Sequence, residues 1–152
     1  MAVEATWGIV TAWIHYIAIM SFLACLLGEH LLLKQDMTLG QAKTIQRLDI
    51  LYGLSATVVL VTGILRMYLE KGFDYYLHHG AFHILVTLFV AIGVLSIYPT
   101  VIFLRWRNDT REDRMPQIPP KQFRTLQTIM RVEMALLLVA PLFAAWMAHA
   151  EF

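Results

Sequence analysis

Four stretches of the chain, 7–33, 50–69, 81–104 and 126–148, are apolar almost without interruption, and the polar residues gather between them. A helix needs roughly 20 mostly apolar residues to cross a hydrocarbon core of about 30 Å, and each stretch meets that length. None alternates as a strand would, and in lipid only helices or closed barrels satisfy their own backbone groups. The pattern predicts an all-α fold: an integral-membrane four-helix antiparallel bundle, with 1–152 as a single transmembrane domain.

The intervening polar segments are unequal in charge. Lys34, Lys43 and Arg47 lie between the first two stretches, and Arg105, Arg107, Arg111, Arg114, Lys121 and Arg124 between the last two, against Lys71 alone in the middle segment. Cationic loops stay cytoplasmic, so the expected topology is N-out/C-out in the inner membrane of a bacterium. Interfacial aromatics agree, with Trp7, Trp13, Tyr16, Tyr75, Tyr76 and Trp146 expected at the outer level and Trp106 at the inner one. Composition sharpens this: 59% of residues are hydrophobic, 15% are charged and the mean hydropathy is +0.61. A formal net charge of +1 gives no field for nucleic acid. The N-terminus lacks the basic stretch of a cleaved signal, and the single cysteine, Cys25, reads as a small buried hydrophobe.

Gly53, Ala56 and Gly63 predict close helix approach along the second span, and Pro99 and Pro141 fall inside the third and fourth. The chemistry lies in the ionisable residues that the spans retain despite their cost in lipid. They form two layers. The outer one holds His15, Arg66 and His83 on three different helices, with His78, His79 and His149 close by. The inner one holds Glu29, His30, Asp49, Arg131 and Glu133, and Arg131 is the expected counter-ion of Glu29 or Asp49. His15, Phe22 and Glu29 recur every seven residues and so share one face of the first helix.

Two histidines on facing helices with an arginine alongside suit haem b: His15 and His83 as axial ligands, Arg66 on a propionate and Phe22 against the ring. A zinc or copper site from His78, His79 and His149 with His83 is the alternative. Satisfied interfacial histidines account for the same residues equally well.

DILYGLSATVVLVTG from Asp49 with Arg66 after it, AFHILVTLF from Ala81, LSIYPT from Leu95, RWR from Arg105 and RVE from Arg131 resemble a bacterial family of inner-membrane proteins of unknown function, across nearly the whole chain. More distantly, WIHYIAI around His15 is similar to the first helix of the haem-dependent integral-membrane protoporphyrinogen IX oxidases. That resemblance implies haem at His15. It places His83 at the histidine of a His-x-Lys motif, but Leu85 stands where the motif has lysine.

Two functions compete. One is a haem b redox protein, an oxidoreductase exchanging electrons with a quinone or porphyrin. The other is a non-catalytic accessory subunit or assembly factor, with or without a histidine metal site, whose loop from Arg105 to Arg114 meets a membrane-complex partner or anionic lipid of the bilayer. A transporter would need a homo-oligomer, with Glu29 and Asp49 as a proton relay. Phosphate-loop, dinucleotide, HExxH and nucleophile-elbow motifs are absent.

Overall fold

A computed structural model describes residues 2–149 as five helices with no strand among them: α1 (Ala2–Leu32), α2 (Leu39–Leu69), α3 (Phe73–Leu77), α4 (Gly80–Arg111) and α5 (Pro120–His149). Four of them are long and apolar enough to cross a membrane, over Thr6–Leu32, Leu39–Leu69, Gly80–Arg111 and Pro120–Met147. At 1.5 Å per residue these helices run to about 40–48 Å, well beyond a hydrocarbon core of about 30 Å. Their ends therefore reach past the lipid tails.

The extra length sits mainly at the end of the bundle that carries the two cationic loops. There α2 begins eleven residues before the second apolar stretch, because Thr38 and Gln41 close a capping box: the Thr38 hydroxyl accepts from the Gln41 N–H and the Gln41 carboxamide accepts from the Thr38 N–H. At the other end, the His79 ring accepts from the Ala81 N–H and starts α4. Pro99 and Pro141 are accommodated within α4 and α5, each helix continuing through its proline.

The helices stand in the order α1, α2, α4, α5 around the bundle, so α2 faces α5 and α1 faces α4 across its diagonals. The core forms where large side chains meet between neighbouring helices and across the diagonals. Phe22 of α1 lies 4.4 Å from the Tyr52 ring and 6.4 Å from Phe89 of α4. Leu26, Ile45, Ile92, Phe103, Trp106, Leu126 and Met130 belong to it as well. Outside, the usual order of a soluble protein is inverted: Ile9, Tyr68, Leu138 and Leu142 are each at least 66% exposed, as lipid-facing side chains should be.

Trp106 is buried against Phe103, and Tyr76 is buried too, so neither presents its ring outward at its end of the bundle. One expectation needs correction. Gly53 is exposed with open space above it, so it is not part of a close-packed small-residue face. The tight approach is at Gly28, where a Cβ would meet Leu48 Cδ1 at 2.9 Å.

Candidate functional site

Three acidic side chains converge in the middle of the bundle, toward the end with the cationic loops. Glu29 of α1, Asp49 of α2 and Glu133 of α5 are 2%, 6% and 1% exposed. Each helix puts its acid there for the same reason that it buries its apolar stripe. Glu29 follows Phe22 by two turns, Asp49 follows Ile45 by one, and Glu133 follows Met130 by three residues, so each acid falls on the core-facing side.

Tyr52, one turn beyond Asp49, donates its hydroxyl to Glu133 Oε1 at 3.4 Å across the α2–α5 diagonal. Thr100 of α4 donates to Asp49 Oδ1 at 2.7 Å. Glu29 Oε1 is buried with no hydrogen-bond partner, and its electrostatic neighbours are Asp49 and Glu133, both of its own sign. All four membrane-spanning helices thus contribute a polar group to one buried cluster.

No Lys, Arg or His forms an ion pair with these three acids among the described residues. Arg131 does not pair with Glu29 or Asp49. It lies exposed on α5 and donates to the Gln127 side chain at 3.2 Å. It stands two positions before Glu133, a rotation of about 200° that turns one side chain outward when the other faces the core. Three uncompensated negative charges so close together and so far from water would each cost several kcal/mol. The cluster therefore requires positive charge, as protons on the carboxyl groups or as a bound cation. Among the described residues no group of three His, Cys, Asp or Glu side chains is placed to hold a metal ion. Protons fit better.

Below the cluster two glutamines close the helix seams. Gln46 of α2 donates to the Phe103 carbonyl at 3.2 Å and accepts from the Thr110 hydroxyl at 3.1 Å, and Gln127 of α5 donates to the Leu33 carbonyl at 3.4 Å. His30, beside Glu29, has its Nδ1 buried without a partner.

The outer layer does not form one site. His15 is half-buried on α1, and its Nδ1 lies 2.8 Å from Thr62 Oγ1 on α2. The Thr62 hydroxyl donates to the Val58 carbonyl, so it accepts from the imidazole N–H at Nδ1 and leaves Nε2 with its lone pair. Gly63 leaves room beside the ring, where an added Cβ would stand 3.5 Å from His15 Cε1. His83, by contrast, is exposed and bonds the Leu77 carbonyl through Nε2 at 2.9 Å. Arg66 pairs with Glu70 at 2.6 Å and lies over the Tyr16 ring at 5.2 Å. Phe22 sits two turns deeper, in the core.

The remaining histidines serve the backbone. His78 Nδ1 bonds the Asp74 carbonyl at 2.8 Å, His149 Nδ1 bonds the Ala145 carbonyl at 2.9 Å, and His79 caps α4. Tyr52, Thr100 and Thr62 were not singled out from the sequence. Tyr52 and Asp49 are three residues apart, a same-face spacing that could have drawn attention to it.

Four long apolar helices that expose apolar side chains and enclose acids define a multi-pass integral membrane protein. The chain belongs to the family described as predicted membrane protein (DUF2214), whose match covers residues 7–150. No curated protein and no solved structure matches it.

Proposed function

We propose that this chain is a proton-handling protein of the bacterial inner membrane, in which Glu29, Asp49, Tyr52 and Glu133 hold and pass protons inside the bundle. The observation that carries this reading is the buried meeting of three carboxyl groups on three helices with no basic partner. The Tyr52 hydroxyl, between α2 and Glu133, supplies a group that can both donate and accept, as a relay requires. On this reading the glutamine-closed end of the cluster faces the cytoplasm, which the positive-inside pattern supports. A lipid bilayer is the only partner this reading needs.

Infrared spectroscopy of the protein in lipid tests it. The C=O stretch of protonated carboxyl groups should be present at neutral pH and fall in Glu29→Gln and Glu133→Gln. Vesicles holding the wild-type chain and a trapped pH dye should dissipate an imposed pH step faster than vesicles holding either variant. Fully ionised carboxylates in the spectrum, together with equal dye traces, would overturn the assignment.

A second reading rests on His15. An imidazole anchored to Thr62 at Nδ1, beside a glycine, is what a metal-binding histidine needs. The residues fit haem b at one axial position only, since His83 is exposed on the opposite pair of helices and Arg66 is already paired. When bound, haem would supply one-electron chemistry with a quinone or porphyrin. The reduced-minus-oxidised visible spectrum of protein expressed with added haem decides: bands lost in His15→Ala and kept in His83→Ala support it, and a colourless protein sinks it.

A further inference from the structure

A cavity of about 220 Å³ opens at the cationic-loop end, between the last turns of α4, the loop after it and the start of α5. Ile102, Arg105, Trp106 and Asp109 lie on one face of α4 by their spacing of three, four and seven, and Pro116, Gln117 and Gln122 close the other side. The helices overrun the hydrocarbon core at this end, so the cavity lies at the depth of lipid headgroups, with Ile102 toward the tails.

Its polar groups are uncommitted. Arg105 makes no ion pair or hydrogen bond among the described residues, and neither do the side chains of Gln117 and Gln122. Trp106 is 4% exposed, yet its indole N–H has no acceptor among the described residues. The N–H is not one of the fully buried unpartnered polar atoms of the described residues, so it is an accessible donor at the cavity wall. Asp109 is the one acid of the wall, with a long contact to Arg114 at 3.8 Å.

We propose that this cavity binds the headgroup of an anionic phospholipid with a hydroxylated headgroup. Arg105 and the Trp106 N–H take the phosphodiester oxygens, while Asp109, Gln117 and Gln122 take the headgroup hydroxyls. Arg105 and Trp106 donate from α4, whose next turn also carries the Asp109 carboxylate, and the carboxamides of Gln117 and Gln122 stand opposite, a set that suits a glycerol-type headgroup better than a choline. The many arginines of the loop attract anionic lipid in general, and the cavity selects one molecule from it.

The test uses the full chain in mild detergent, with native mass spectrometry counting bound lipid after addition of phosphatidylglycerol, phosphatidylcholine or glycerol phosphate. We expect retained phosphatidylglycerol, little phosphatidylcholine, and no displacement by glycerol phosphate. Arg105→Gln should weaken phosphatidylglycerol retention about fivefold, the effect of one cation near a lipid surface, and Arg105→Lys should recover part of it. Trp106→Phe, which keeps a ring, should weaken it as well, with the folded state checked by circular dichroism. Arg107→Gln, outside the cavity, should have a smaller effect. Equal retention of the two lipids, equal effects of the Arg105 and Arg107 variants, or displacement by glycerol phosphate would each overturn the proposal, the last by showing a soluble phosphate ester as the ligand.

Discussion

Tyr52 and Glu133 stand on diagonally opposite helices, 81 residues apart in sequence, and their side chains meet at 3.4 Å in the centre of the bundle. Helices on a diagonal share no direct backbone contact, so this hydrogen bond ties the two helical hairpins together through the core. Tyr52→Phe removes the donor without removing the ring that packs on Phe22. It should lower stability in detergent by about 1 kcal/mol, the usual net value of such a bond. In a double-mutant cycle with Glu133→Gln, thermal melts should give a coupling of about 0.5–1.5 kcal/mol. A coupling of zero would mean that the contact contributes nothing.

Gly28 sets how closely α1 and α2 approach. Gly28→Ala directs its Cβ at the end of the Leu48 side chain, 2.9 Å away, which can rotate aside. The gain in helix propensity of up to about 1 kcal/mol should offset that strain, leaving the melting temperature nearly unchanged. Gly28→Leu has no such relief and should destabilise by about 1–3 kcal/mol in the same melt.

Lys43 donates to Asp113 at 2.6 Å, linking the start of α2 to the loop after α4, and holds the Asp113 carboxyl below its usual value. A depressed folded-state value means that the contribution is complete above the unfolded value of about 4 and is lost as pH falls through the lower, folded one. Asp113 has a φ of 53°, which asparagine also tolerates, so Asp113→Asn isolates the charge. Melts of the two proteins should differ slightly at neutral pH and converge in acid, with added salt shrinking the gap. Asp113→Val should cost about 1–2 kcal/mol more at any pH, from the backbone alone.

Burial, and then the Glu70 carboxylate that accepts its hydroxyl at 3.2 Å, pushes the Tyr76 phenol up to about 12. A raised value in the fold favours the protonated state there. This contribution is whole below the unfolded value of about 10 and disappears as pH rises through the folded one. Alkaline absorbance titration should show a late tyrosinate phase that is missing in Tyr76→Phe and earlier in Glu70→Gln.

The spans were legible because lipid demands long apolar runs, and such runs are visible without any partner. Their polar extensions were not, because helix and apolar stretch are different things: α2 passes through Gln41, Lys43, Gln46 and Arg47 once Thr38 has capped it. That Thr38-x-x-Gln41 signature stood in the sequence. The inner acids were recognised as unusual, and His15, Phe22 and Glu29 do share the inward side of α1. Charge complementarity points to Arg131 as their counter-ion, but its angle to Glu133 on α5 turns it outward to Gln127. The convergence of His15 with His83 failed for a related reason. Equal depth on two helices says nothing of facing, and His83 turns outward to the Leu77 carbonyl.

Gln46 and Gln127 bear on time as much as on structure. With their amides latched to the Phe103 and Leu33 carbonyls, they stand between the acids and the loop-side water. On the proposed reading, the carboxyl groups set the acid–base equilibrium inside the bundle, and the opening of a seam sets the speed of reaching it. Exchange there should then behave like that of a slowly breathing backbone amide, a low-probability opening followed by fast chemistry. Two side chains that do not titrate would act as the clock for three that do.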